Sequence, residues 1–309
     1  MSNAIRYFKA LSDETRLRLT YVLERYELSV NELVSILEMG QSRVSRHLKI
    51  LTEAGLLSSR RDGLWVFYSS VKEGEGAAFL KAAMPFLDED AEMRADVEMA
   101  ARIIEDRALK TRQFFNTIAE HWDTLSREVL GGFDLAGAVC DTMPEGCDTS
   151  VDLGCGTGIV LERMRGRARQ IIGVDGSPRM LELSRRRLAG GEGEPEGVSL
   201  RIGELSHLPL RDCEADFASI NMVLHHLSNP ENALAEIRRV LRSGGLLVVA
   251  DFDRHTQERM RLDYGDLWLG FDEATMARLL HAASFEVVST TRYPVEQGLA
   301  LNLTLARRL

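Results

Sequence analysis

Apolar residues recur at two different periods along this chain, and the change of period divides it. Up to about residue 88 the spacing is mostly helical. VNELVSIL, after Ser29, sets Val30, Leu33, Val34 and Leu37 at i, i+3, i+4 and i+7. Ser12 and Asp13 stand in capping position before TRLRLTYVLERY. Gly40 is expected to end the VNELVSIL helix and Ser42 to cap the next one, where Val44, Leu48 and Leu51 face a core and Arg43, Arg46, His47 and Lys49 point largely elsewhere. Gly55 stops that helix. Period two then takes over in LLSSRR and LWVFYSS, which flank Asp62-Gly63, a two-residue hairpin signal. A final helix completes the order helix, helix, helix, helix, hairpin, helix.

Residues 88–128 hold neither Gly nor Pro and are highly charged, which predicts a long helical connector. Met93, Val97, Ala100 and Ile104 form a short apolar seam on it, read as packing against the chain's own domain, since the repeat is too short to favour a dimer coiled coil. Phe114, Phe115 and Trp122 cluster near its end. From about residue 130, strand-like runs (TSVDLG, QIIGVD, VSLRIG, ADFASIN, GLLVVADF, FEVVSTTRY, LALNLTLAR) appear, with helical runs between the first five. That alternation predicts a doubly wound, Rossmann-like α/β domain with a mainly parallel sheet. Only YPVEQG separates the last two strands, too short for a parallel crossover, so they are expected to pair antiparallel.

Three segments follow: an α+β winged helix-turn-helix domain at 1–88, a connector at 89–128, and the α/β domain at 129–309. The length of 309 residues suits two domains, and 45% hydrophobic with 28% charged residues suits an ordinary soluble protein. No apolar run approaches the roughly 18 residues of a membrane span. The first residues have no uninterrupted apolar core, so no signal peptide is expected and the cytoplasm is the default compartment. Cys140, Cys147, Cys155 and Cys213 show no C-x-x-C pairing and are read as reduced thiols.

Net charge is −9, yet residues 1–88 carry 12 Lys and Arg against 11 Asp and Glu, and residues 41–72 carry 6 against 2. A local basic stripe is what phosphate contact requires, whatever the whole-chain charge.

The first segment resembles the ArsR-type winged-helix regulators on ALSDETRLRL (Ala10 to Leu19), VSRHLKILTEAGLL (Val44 to Leu57) and RRDGLWVFY (Arg60 to Tyr68). The resemblance implies a homodimer on double-stranded operator DNA. It would be joined through residues 1–10 and 73–88, with the helix from Ser42 in the major groove. Gln41, Ser42, Arg43, Ser45, Arg46, His47 and Lys49 are the candidate contacts, and Arg60 and Arg61 would grip phosphate from the wing. Relatives that sense metals carry a Cys-x-Cys pair where this chain has Ser29 and Asn31, so no metal site is expected here. Cys140 and Cys147, lacking a third placed thiol, are weak metal candidates.

VDLGCGTG (Val151 to Gly158) follows a strand. Alone it fits NAD as well as other nucleotide-like ligands. Gly154, Gly156 and Gly158 permit positive φ and a close backbone approach. Asp175 ends the next strand, 21 residues after Gly154, where a carboxylate accepts ribose hydroxyls. With GVDGSPRML, GELSHLP, ADFASINMVLHHL and RRVLRSGGLLVVADF, the segment from residue 115 onward resembles the class I S-adenosylmethionine methyltransferases.

That resemblance implies an S-adenosylmethionine or S-adenosylhomocysteine site built from Asp152, Gly154, Cys155, Gly156, Gly158, Asp175, Gly176, Met180, Gly203, Glu204, Leu205, Asn221 and Met222. In it Asp152 orients the ligand's amino-acid end, Glu204 lies near the adenine amine, and Met180 and Leu205 flank adenine. Phe115 and Trp122 would form a lid, or simply pack at the domain edge. His225 and His226 are weak candidates for a general base, the alternative being capping or packing.

The fusion resembles regulators responsive to S-adenosylhomocysteine. Two readings stand: a repressor whose second domain is a receptor, or a working small-molecule methyltransferase regulated by its DNA-binding domain.

Overall fold

The structure, a computed structural model, describes residues 3–189 and 197–309. The chain forms two compact units, Met1–Arg107 and Ala108–Leu309.

In the first unit, α1 (Asn3–Leu11), α2 (Glu14–Leu23), β1 (Leu28–Ser29), α3 (Val30–Leu37), α4 (Gln41–Ala54), β2 (Leu57–Asp62), β3 (Trp65–Ser70) and α5 (Gly74–Ala83) follow one another. α6 (Ala91–Ile118) then starts in this unit and runs past its boundary. β2 and β3 pair as the wing hairpin, and β1 adds to β3 on its other side. Leu19, Leu23, Leu33, Val44, Leu48, Leu51 and Leu56 make the buried centre. The α6 seam closes onto this same core: Met93 and Ala100 are buried in it, and Val97 and Ile104 pack against it. α6 is fastened to α2 and α3 by ion pairs from Arg18 to Asp96 and from Arg107 to Glu32. Residues 1 and 2 of the expected dimer surface lie outside the described residues.

Caps and turn differ in detail from expectation. Asp13 caps α2 by accepting from the Arg16 amide, whereas the Ser12 hydroxyl donates back to the Lys9 carbonyl. Ser29 and Glu32 form a reciprocal capping box at α3. That helix ends at Leu37, with Glu38 taking the left-handed conformation (φ +51°) expected of Gly40. Gly40 instead sits at the N-cap of α4, so Ser42 lies inside the helix and caps nothing. The hairpin turn is Gly63-Leu64, not Asp62-Gly63. Asp62 pairs with Trp65 and is held in the strand by Arg60, and Gly63 takes φ +58° at the first loop position.

The second unit continues with α7 (Trp122–Leu130), α8 (Leu135–Cys140), β4 (Cys147–Leu153), α9 (Ile159–Met164), β5 (Ala168–Asp175), α10 (Pro178–Ala189), β6 (Val198–Ile202), β7 (Ala215–Asn221), α11 (Pro230–Val240), β8 (Leu241–Phe252), α12 (Arg259–Asp263), α13 (Glu273–Ala282), β9 (Phe285–Pro294) and β10 (Ala300–Arg308). The sheet order is β6-β5-β4-β7-β8-β10-β9. β4 to β8 are parallel, and β10 pairs antiparallel with both β8 and β9. All seven expected strands are present. β10 lies between β8 and β9 and is almost wholly buried, whereas β9 is largely exposed and takes the edge. Strand order reverses between β4 and β7, and a doubly wound sheet offers its ligand crevice at the carboxyl ends beside such a reversal. No helix among the described residues is long and apolar enough to cross a membrane.

Candidate functional site

At the crevice, β4 ends in a loop shaped around two acceptors. The amides of Gly154 and Cys155 both donate to the Val174 carbonyl, at 2.8 and 3.0 Å. The Gly156 amide donates to Asp175 Oδ2 and the Ser177 amide to Asp175 Oδ1, each at 2.8 Å. Asp175 therefore ties the loop after β4 to the turn after β5. Gly154 has φ +70°, and a Cβ there would lie 2.5 Å from Val223, so a side chain fails on both counts.

Asp152, under the loop, accepts from Ser219 Oγ at 2.6 Å and Asn221 Nδ2 at 3.0 Å. Burial pushes its carboxyl up to about 7, against the pull of those two donors. Burial also raises Asp175, opposed by the backbone donors Ser177, Gly156 and Gly176.

Gly176, Gly203, Asn221 and Met222 stand at the ends of β5, β6 and β7 as expected. Met180 is buried, and Leu205 packs partly against the unit's main core. Glu204 is exposed and ion-paired with Arg112 at 2.7 Å. Cys155 turns its side chain into the core, where burial raises its thiol; only its backbone is available to a ligand. Cys140 and Cys147 are buried free thiols raised to about 11 by burial.

The segment preceding β4 covers this loop. Asn116 Oδ1 accepts from Ser177 Oγ at 2.5 Å. Thr157 Oγ1 donates to Asp123 at 2.6 Å, and Arg187 pairs with that carboxylate. Phe115 meets Trp122 edge-on at 5.2 Å and His226 at 4.8 Å. Trp122 reaches within 3.8 Å of where a Cβ on Gly156 would be. Trp122 thus stands beside the glycine loop, and Phe115 packs between Trp122 and His226.

A cavity opens beside the loop, lined by Trp122, Ser126, Met222, His225, His226, Phe252, Met260 and Asp266, among others. Neither histidine is a helix cap: Asn229 caps α11 through the Asn232 amide. His225 Nδ1 is 2.6 Å from Asp251 Oδ1, and its Nε2 is 3.6 Å from Asp266. Burial opposes charge on this ring, but Asp251 and Asp266 outweigh it and raise the ring to about 9. Burial and the neighbouring His225 push His226 well down. Asp251 and Asp266 escaped the sequence reading. The first sits at the carboxyl end of a predicted strand and was findable there; the second lies in a loop without any pattern.

In the first unit, Gln41, Ser42, Arg43, Ser45, Arg46 and Lys49 form the exposed face of α4, and Arg61 is exposed on the wing. His47 and Arg60 depart from expectation. His47 is 4% exposed, and burial lowers its ring below the usual imidazole range, since it completes the Val44, Leu48, Leu51 stripe at helical spacing. It cannot reach a base edge. Arg60 is held in ion pairs with Glu27 and Asp62 and lies over the Phe67 ring, so it braces the wing instead of extending toward phosphate.

Comparison with known proteins agrees with both halves. Residues 13–59 match the family model for bacterial regulatory proteins of the arsR family, and residues 151–249 match a methyltransferase domain. The arsenic resistance transcriptional regulator of Pseudomonas putida is 52% identical over 62 residues, 20% of this chain and 48% of that protein. A demethylmenaquinone methyltransferase of Desulfitobacterium hafniense is 28% identical over 212 residues, 63% of this chain and 80% of that protein. A solved SAM-dependent methyltransferase of Thermotoga maritima superposes with a TM-score of 0.50 at 26% identity, covering 64% of this chain and 100% of that one. The chain spans about half the length of the arsenic regulator that it matches. One segment of the chain thus matches an ArsR-type helix-turn-helix domain, and the other matches a methyltransferase domain and has the class I methyltransferase fold.

Proposed function

We propose that this chain is a DNA-binding transcriptional regulator, a homodimeric repressor, whose methyltransferase-fold domain binds S-adenosylmethionine or S-adenosylhomocysteine and thereby changes operator affinity. One observation carries this reading: the covalent link between the two units is a single helix. The part of α6 before residue 108 packs in the core of the DNA-reading unit, while Asn116 near its end bonds to Ser177 beside Asp175. A ligand that rearranges the loop around Asp175 acts on that helix directly. Coupling of this kind is typically worth about 1–3 kcal/mol. Ser29, standing where metal-sensing relatives place a thiol, is committed to capping α3.

The test is fluorescence anisotropy on promoter DNA at one salt concentration, with protein alone, with S-adenosylmethionine and with S-adenosylhomocysteine. A shift of about fivefold or more with one ligand identifies the signal. Arg46→Ala should weaken DNA binding in all three conditions and reduce the salt slope by about one. DNA affinity unchanged by either ligand would end the receptor reading.

A second reading, an active small-molecule methyltransferase, rests on His225 and His226, which line a small cavity together with Trp122 and Met222. Methylated product from a defined acceptor would establish it.

Ligand binding should also titrate. The ammonium of an S-adenosyl ligand favours ionised Asp152, whose carboxyl sits at about 7 in the folded chain. Affinity should therefore fall as pH drops below about 7, by up to about tenfold per unit, and Asp152→Asn should flatten the profile. Without ligand the sign on stability is opposite. The folded chain holds this proton more tightly, so the contribution present below the unfolded carboxyl range is lost as pH rises through about 7. Calorimetry in buffers of different ionisation enthalpy reads the proton release; equal affinities at pH 6 and 8 would refute the role of Asp152.

A further inference from the structure

His225, His226 and Asp266 meet in the second unit, and none of the three is among the residues assigned above to binding the S-adenosyl ligand. The histidines follow β7, and Asp266 lies between α12 and α13. One nitrogen of each ring and one Asp266 oxygen lie within 4.8 Å of one another, and all three side chains are buried. His225 Nε2 and His226 Nδ1 lie 3.6 and 3.8 Å from the same Asp266 oxygen. Nε2 of His226 is buried without a hydrogen-bond partner among the described residues, an arrangement that is unfavourable unless something else satisfies it.

A further carboxylate stands behind the cluster. Asp251 binds Nδ1 of His225 at 2.6 Å and is itself fixed by the amides of Phe252 and His225. That fixes the His225 ring and turns its other nitrogen toward Asp266, the arrangement in which a second carboxylate orients a metal-binding histidine.

We propose that His225, His226 and Asp266 bind one divalent first-row transition metal ion, with Asp251 as the positioning carboxylate. Two imidazoles and a carboxylate are the donors of zinc, cobalt(II) and iron(II) sites. Bonds of about 2.0–2.2 Å bring such ligand atoms closer than they stand here, so binding requires the His226 ring and the Asp266 carboxylate to move toward the ion while Asp251 holds His225 in place. Three protein ligands leave a position open, and all three line the cavity with Trp122 and Met222. An oxygen or nitrogen of a small molecule entering that cavity would complete the shell.

The experiment titrates cobalt(II) into metal-free full-length protein and reads its visible bands. The expected result is one cobalt per chain, displaced by zinc. His226→Gln and Asp266→Asn should each weaken binding by more than the roughly 10–100-fold that loss of an outer carboxylate costs, and Asp251→Asn should fall within that range. Circular dichroism verifies the fold of each variant. X-ray absorption of the zinc-loaded unmutated protein gives a second readout that needs no variant, expecting two imidazoles and one carboxylate in the shell. No band at one equivalent, bands unchanged in folded His226→Gln and Asp266→Asn, or a shell containing sulfur would each overturn the site.

Discussion

Asp175→Ala should raise the dissociation constant for the S-adenosyl ligand by about 100-fold or more. The carboxylate has two tasks. It is the acceptor expected to take the ribose hydroxyls, and it already binds the amides of Gly156 and Ser177, which fix the loop and the turn. Hydrogen bonds to charged groups are worth about 1.5–3 kcal/mol each, so losing two ribose contacts alone accounts for the factor of 100. The freed loop amides add to it. Asp175→Asn should fare little better, because its amide places a donor against one of two backbone donors. Isothermal titration calorimetry on variants whose circular dichroism matches the parent decides the matter. A loss below tenfold for Asp175→Ala would show that the ligand, if bound, does not sit at this carboxylate.

Arg18→Met should destabilise the DNA-reading unit by about 3 kcal/mol, the low end of the 3–5 kcal/mol typical when one partner of a buried ion pair is removed. Arg18 binds Asp96 bidentately, Nε to Oδ2 at 2.7 Å and Nη2 to Oδ1 at 2.8 Å, and touches Glu92 at 2.6 Å. Asp96 is 4% exposed, so the variant strands a carboxylate between α2 and α6. The low end applies because Arg18 keeps some contact with solvent. Arg18→Met combined with Asp96→Leu should recover most of the loss, since a buried pair gains little over apolar residues of similar volume. Amide hydrogen exchange along α2 and α6 of the full chain isolates this unit from the other. Protection changed by less than 1 kcal/mol would mean that water reaches Asp96 and the pair holds little.

Much of the site was legible before the fold. The glycine loop, Asp152 and Asp175 are strand-end residues whose spacing follows from a strand, a tight turn and a helix, all local features. The exposed face of α4 was legible in the same way, but classing residues by type misplaced His47, which periodicity alone assigns to the inner face. Arg60 was misread for another reason. Its partner Glu27 lies 33 residues away, and nothing in the wing announces it.

The sequence alone determined the helices of the reading unit, the seven strands of the second unit and the acceptors around the glycine loop, because apolar periodicity and turn chemistry act over a few residues. Tertiary structure alone decided that β10 lies between β8 and β9, that Arg60 is spent on Glu27 and Asp62, and that His225, Asp251 and Asp266 converge. Those outcomes depend on which distant segments share a buried face. A charged or polar side chain taken out of water must find whatever partner the closed chain brings within reach.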